Sequence, residues 1–228
     1  MERQTILLGA ATAATVQRCA GKLPSHDPHG QMGRRPWLRL GSRVTARSDS
    51  IMAPASGGQQ VSRVSFVIRG FLESDADAVN RLAVAAFAEF RTAYSDWTAM
   101  VANLSKMSTL AAVGELIVAE RTGRIIGAVT YVAPHQPKAA FFDGAWPIVR
   151  MLVVDPKCRG QGIGGALMLE CVRRAKRDRA KVLALHSSPI MTAALALYHD
   201  MGFAHHRDGT PVFGVPTAVY VMQLQPCS

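Results

Sequence analysis

The chain has 228 residues, 49% hydrophobic and 18% charged, which is enough apolar material for one core of ordinary size and too much for a wholly disordered polypeptide. Its net charge of +10 divides unevenly by length: residues 1–60 carry eight Lys/Arg against three Asp/Glu and residues 61–228 carry eighteen against thirteen, an excess that by itself names no partner. Four cysteines, Cys19, Cys158, Cys171 and Cys227, form no Cys-x-x-Cys pair and no zinc-ligand spacing with the seven histidines, so a disulfide framework and a metal module are set aside and a reducing compartment fits.

In chain order, the run Thr5–Val16 is apolar but twelve residues long, short of the roughly 20 needed to span a bilayer. With Arg34, Arg35, Arg39, Arg43 and Arg47 behind it, the segment has some character of a transit peptide, but no small-residue cleavage pattern follows the apolar run. From Gln17 to Gln60 neither a 2- nor a 3.6-residue period is sustained. Residues 1–60 are therefore read as a disordered or targeting-like basic extension, and 61–228 as the folded domain, expected in the cytoplasm with a targeting signal left open.

A first strand is expected within Val61–Phe71. A helix follows, opened by a capping-box pattern of Ser74 with Asp77 and marked by Val79, Leu82, Ala86 and Phe90 at helical spacing. A second helix is placed near Asp96–Met107. The segment "ELIVAERTGRIIGAVTYV" gives two β-rich runs around Arg121-Thr122-Gly123-Arg124, a hairpin by its turn length. After a loop with Pro134 and Pro137 come a strand Ile148–Val154, a glycine-rich turn, and a helix from about Gly162 to Arg177 whose stripe Ile163, Leu167, Cys171, Ala175 faces the core. A strand Lys181–Ser187, a helix Thr192–Gly202 and a last β-rich run Thr217–Leu224 complete the domain. The order is α+β with a mixed sheet.

The glycine turn, "VDPKCRGQGIGGALM", opens a helix. Free backbone N–H groups and the positive end of the helix dipole make such a turn an anion site suited to phosphate. Gly160-x4-Gly165 has P-loop spacing, but Ala166 and Leu167 stand where Lys and Ser/Thr are needed. Gly160-x-Gly162-x-x-Gly165 has dinucleotide-binding spacing, but five residues separate it from the strand, and His186-Ser187-Ser188 stands where an acidic residue should hold the ribose. The stretch "RGQGIG", Arg159–Gly164, preceded by the strand "MLVVDP", matches R-x-x-G-x-G and resembles the GNAT superfamily of acyl-CoA-dependent N-acyltransferases. The resemblance runs from about Val64 to Leu224 and includes the hairpin and "LYHDMGF", Leu197–Phe203.

That resemblance implies a mostly antiparallel sheet of six to seven strands with a splayed central pair, flanked by about four helices. It implies acetyl-CoA as co-substrate, with the pyrophosphate on Arg159, Gly160, Gln161, Gly162, Ile163 and Gly164. The pantetheine arm would pair with the main chain of Leu152, Val153 and Val154, and a backbone N–H near Val153 would meet the developing oxyanion. Tyr198 matches the tyrosine set near the coenzyme sulfur. Many members carry a glutamate base where this chain has Ile148, so Asp143 in the preceding loop is the substitute candidate, with Glu115 and a water chain as others. Met191 replaces an asparagine that relatives use on the pantetheine.

The expected activity is transfer of acetyl from acetyl-CoA to a primary amine, small-molecule or peptide, by direct attack in a ternary complex, since no nucleophile–base arrangement is visible. An acyl-CoA-binding regulatory module without turnover is the alternative. The acceptor would lie against the first two helices and the loop Val132–Pro147. The cluster Arg173, Arg174, Lys176, Arg177, Arg179 and Lys181 sits at the wrong end of its helix for the pyrophosphate and reads as a solvated face complementing the dipole, not a nucleic-acid site. No membrane span and no metal are expected, and a homodimer is an open arrangement.

Overall fold

The computed structural model of the chain describes residues 65–224. Seven strands form one sheet: β1 (Val67–Gly70), β2 (Glu115–Arg121), β3 (Arg124–Val132), β4 (Ile148–Val154), β5 (Val182–Ser187), β6 (Ala204–Val212) and β7 (Val215–Gln223). Four α-helices flank it: α1 (Ala76–Phe87), α2 (Trp97–Leu104), α3 (Ile163–Arg177) and α4 (Thr192–Asp200), with short 3₁₀ turns between. The strand order is β1-β2-β3-β4-β5-β7-β6, and every neighbour is antiparallel except β4 and β5. Among these residues no helix is long and apolar enough to cross a membrane.

Both faces of the sheet are covered, which is why β2 and β3 read as nearly continuous apolar runs. On one face α3 buries Ile163, Leu167, Cys171 and Ala175, each at most 1% exposed, as the four-residue spacing predicts. It lies so close to β3 that a side-chain carbon at Gly127 would fall 2.8 Å from Ile163 and 3.0 Å from Leu167, so only glycine admits the helix there. On the other face α1 buries Val79, Leu82, Ala83 and Ala86 against Leu116, Val118, Ala128 and Val153, and α2 adds Met100 and Leu104. The β2–β3 hairpin closes on Thr122 and Gly123, both at positive φ (48° and 75°), the two-residue turn whose twist matches paired strands.

Some expectations need correction. The first helix is not capped by Ser74 and Asp77. Asp75 accepts from the Leu72 amide at 2.8 Å and pairs with Arg69 at 2.7 Å, closing a 3₁₀ turn ahead of α1. Within the described residues the first strand is shorter than Val61–Phe71, and residues 61–64 lie outside them. The second helix ends at Leu104, and Asp96 caps it by accepting from the Ala99 amide at 2.8 Å. The sequence reading has no β6 at all. This edge strand, "AHHRDGTPV", is solvent-facing along most of its length and carries no apolar alternation to betray it.

The basic cluster on α3 is an ion-pair network. Arg174, 9% exposed, reaches Glu115 at 3.0 Å and Glu170 at 3.1 Å, while Arg177 pairs with Glu115 at 2.6 Å and Asp178 at 2.8 Å. Tyr131, from β3, donates to Asp178 at 2.8 Å. Hydrogen bonding from Arg173, reinforced by Arg174, pulls the Glu170 carboxyl down to about 2.

Candidate functional site

β4 and β5 run parallel for only two residue pairs, Ile148 with Ala184 and Val149 with Leu185, and then part. The cause lies in β4. Opposite Val129 of β3 stand two residues, Met151 and Leu152, because the register steps from Thr130–Arg150 to Ala128–Val153. Met151 holds φ +54°, a left-handed conformation that a methionine adopts at a cost. The bulge turns the strand away, so the β5-facing edge of Leu152, Val153 and Val154 has no strand partner.

At the open end of this fork lies the glycine turn. Asp155 starts it, accepting from the Lys157 amide at 2.9 Å and pairing with Arg124, while its own amide donates to Ile126 at 2.9 Å. Gly160 and Gly162 take φ of +73° and +79°, and a side-chain carbon on either would meet nothing within 4 Å. What these two glycines clear is therefore space outside the protein. Gly164 differs: a side-chain carbon there would lie 3.4 Å from Leu197 of α4 and 3.8 Å from Val154. The first helical bond of α3 runs from the Ala166 amide to Gly162 at 3.0 Å, which leaves the N–H groups of Ile163, Gly164 and Gly165 without a partner inside the helix. Gln161 is held by Arg121, which donates to its side-chain oxygen at 2.8 Å.

Arg159 stands in the same turn but its guanidinium points elsewhere. It donates to the Ala86 carbonyl at 3.0 Å and pairs with Glu89 at 2.6 Å, tying the turn to the C-terminal end of α1.

Tyr198 lies in α4 and is 7% exposed, its ring 5.9 Å from that of Phe203, the residue that leaves the helix after Gly202. Burial raises its hydroxyl well above the usual tyrosine range, with the Cys171 side chain of α3 adding to the effect. Among the described residues the hydroxyl makes no hydrogen bond. Met191 precedes α4 without a side-chain cap, its sulfur 3.9 Å from the Ser187 hydroxyl.

The other candidates are not gathered here. Asp143 is exposed on the loop before β4, where its carboxylate accepts from the Ala145 amide at 2.8 Å. Glu115 is occupied by Arg174 and Arg177 at the start of β2, and the Arg177 hydrogen bond holds it below the ordinary carboxylate range. Ile148 is core, 1% exposed.

Across the sheet, on the α1 face of the fork, the structure gathers residues that sequence reading passed over. Arg150 and Thr130 are cross-strand partners there, and His186 follows Leu185 where β5 leaves β4. The Phe141 ring lies tilted against that of His186, centroids 5.0 Å apart, and the Phe141 carbonyl accepts from Arg207 of β6. The loop that carries Phe141 is clasped by Lys138, whose ammonium donates to the carbonyls of Ala133, Gly144 and Trp146 at 3.2, 3.0 and 2.7 Å. At the fork's other wall the tip of the β6–β7 hairpin docks on the α1–α2 connection, Ser95 donating to Phe213 at 2.9 Å. The one sequence signal was Arg150 itself, a charge inside the apolar run "IVRMLVV".

A family model for the GNAT acetyltransferases matches residues 77–203, from the start of α1 through the fork and glycine turn to Phe203. The chain belongs to the GNAT family. It is thus an acyltransferase by family, and solved structures share its fold at low identity. One from Rhodopseudomonas palustris, a GCN5-related N-acetyltransferase, is 18% identical with TM-score 0.56, covering 69% of this chain and 95% of its own. yncA from Salmonella typhimurium, whose structure includes its cofactor acetyl-CoA, is 19% identical with TM-score 0.51, at 70% and 94% coverage. The ribosomal-protein-S18-alanine N-acetyltransferase of Escherichia coli is 16% identical with TM-score 0.52, at 72% and 97%. A comparison with curated proteins finds no match in sequence. The splayed pair and mostly antiparallel sheet implied for a GNAT domain are those observed.

Proposed function

We propose that this GNAT protein transfers acetyl from acetyl-CoA to a primary amine, by direct attack within a ternary complex. The observation that carries the reading is the parting of β4 from β5 immediately beside an unpaired helix N-terminus: an open strand edge and an anion-binding turn, joined end to end. An extended pantetheine arm can add to the Leu152–Val154 edge as a short strand, while its pyrophosphate takes the amides around Gln161, Gly162, Ile163 and Gly164. Gly160 and Gly162 leave the approach clear. Arg159 serves the turn by fixing it to α1 rather than by reaching the phosphates. Acetyl-CoA bound to the neighbour yncA supports the choice of co-substrate.

In the reaction the amine nitrogen attacks the thioester carbonyl and a backbone N–H near Val153 stabilises the oxyanion. The carbon–sulfur bond then breaks to leave amide and coenzyme thiolate. An alkylamine with pKa near about 10.4 arrives as ammonium and must shed a proton. With Ile148 where a glutamate base often stands, that proton passes to solvent, with Asp143 as the candidate carboxylate for a water-mediated relay. Tyr198 donates a hydrogen bond to the sulfur as it gains charge. Its raised pKa suits a group that keeps its proton.

Calorimetric titration with acetyl-CoA, followed by thiol release over a panel of small amines and peptide N-termini, tests the proposal. Binding with no release for any amine would instead favour a regulatory acyl-CoA module, the alternative that Ile148 leaves open. Failure to bind the coenzyme would sink both.

A further inference from the structure

Four arginines of the described domain are not solvent-exposed: Arg69, Arg121, Arg150 and Arg174. Arg69 pairs with Asp75 and Glu120, Arg121 donates to Gln161, and Arg174 pairs with Glu115 and Glu170. Arg150 has no carboxylate and no hydrogen-bond acceptor among the described residues, although burial pulls its guanidinium below the usual arginine range. A half-buried cation without a counter-charge is costly, and an anion arriving from outside relieves it.

Two neighbours point the same way. Thr130, 0% exposed and directly across from Arg150 on β3, has a hydroxyl oxygen with no partner. His186, level with Arg150 at the point where β5 departs, has an unpartnered buried Nε2, and burial together with the Arg150 charge lowers its pKa so that the ring is neutral. Buried polar groups are nearly always satisfied, so the unpartnered Thr130 hydroxyl and His186 Nε2, beside the unpaired Arg150 on one sheet face at the head of the fork, call for a ligand. Strand alternation puts Arg150 there, and the bulge that follows adds Met151 to the same face. The extra residue in β4 lets Met151 follow Arg150 on the α1 face, opposite the face that Leu152 and Val154 share with α3. An acidic residue at position 148 would share that face and quench Arg150, and this chain has Ile148.

We propose that Arg150 is the anion clamp of the acceptor subsite, and that the acceptor is a small amine carrying its own carboxylate. The inference rests on the acyl-transfer reading of the fork, since it places the acceptor's amine beside the thioester. A guanidinium fork matches a carboxylate bidentately, and the Thr130 hydroxyl supplies one further donor. One guanidinium faces the subsite, Lys138 being held by three carbonyls and Arg207 by that of Phe141, and a single facing cation suits a carboxylate better than a phosphate. Phe141, fixed by Arg207, walls the subsite beside His186. Peptide N-termini, which carry no carboxylate close to the amine, fit less well than free amino acids.

The experiment titrates the full chain, saturated with coenzyme A, with N-acetylglycine, N-acetylalanine and N-acetylphenylalanine and with their neutral amides, so that no turnover is required. The acids should bind and the amides should not. Arg150→Gln should weaken the acids roughly ten- to a hundredfold and Arg150→Lys should restore part of that, with coenzyme affinity and melting temperature unchanged. Acids and amides binding alike, no binding of either, or an acid preference that survives Arg150→Gln overturns the proposal. A wild-type chain that does not bind coenzyme A overturns the acyl-transfer reading beneath it. Thr130→Val gives a second check, expected to weaken the acids a few-fold.

Discussion

On the α3 side of the fork the proposed coenzyme contacts are main-chain groups, an open strand edge and three helix-opening amides, set by one bulge and two positive-φ glycines. On the α1 side the polar groups are side chains drawn from three strands, walled by a loop that Lys138 and Arg207 hold. Main-chain recognition needs a local run of sequence and little else, and any member of a family can keep it while its side chains change. Side-chain recognition needs distant residues brought to one face, and is free to differ in every member. Shared co-substrate and private acceptor thus follow from which part of the polypeptide does the binding.

The largest effect should come from breaking the main-chain half. Gly162→Asp adds a side chain and a negative charge at φ +79°, where the phosphates approach, and is expected to weaken acetyl-CoA binding at least about a hundredfold. The backbone strain should cost only about 1–3 kcal/mol of stability. Calorimetry on a variant shown to be folded checks this, and unchanged affinity would remove the turn from the site.

Next in size is Tyr198→Phe. If the hydroxyl donates to sulfur only as charge develops, kcat and kcat/KM fall together by roughly ten- to a hundredfold, with coenzyme affinity and melting temperature unmoved. Wild-type turnover with chemistry rate-limiting would leave Tyr198 as packing against Phe203.

On the acceptor side Lys138→Met releases three carbonyls and should loosen the Phe141 loop. An acceptor KM several-fold higher, with kcat and coenzyme affinity near wild type, is the expected split. A rise in the coenzyme Kd instead would show that the two halves are not separable.

The smallest effect concerns stability. The folded Glu170 carboxyl sits near 2 against an ordinary 4.5, chiefly through hydrogen bonding to Arg173. A depressed acid contributes stability that is complete above its unfolded value and is lost as pH falls through the folded one, so the α3 network should weaken between about pH 4.5 and 2. Glu170→Gln should flatten part of that acid limb in thermal unfolding. An unchanged limb would show that this partly exposed network contributes little.

What was legible in the sequence follows the same division. The helix stripe of α3, the Thr122-Gly123 turn and the glycine segment are local patterns with fixed periods, and all three stand where the sequence puts them. The unforeseen β6 is an exposed edge strand whose side chains answer to water, so its pattern carries no period, yet its Arg207 fixes the acceptor loop. Ser74 was a plausible cap in composition, but Arg69 on a neighbouring strand recruits Asp75 and shifts the helix start. Thr130, Arg150 and His186 are separated by 20 and 36 residues, and only the β3–β4 register and the short β4–β5 pairing bring them together.

The ion pair of Arg159 with Glu89, and its bond to the Ala86 carbonyl, make a strut past the C-terminal end of β4 between the two halves. A strut transmits load in both directions. If filling the glycine turn stiffens α1 and so improves the acceptor's seat by some factor, linkage requires the acceptor to tighten coenzyme by the same factor. Order of addition then becomes a property of one side chain: with the strut cut by Arg159→Ala, the two ligands should bind indifferently to each other, whereas cooperativity that persists would place the coupling in the sheet itself.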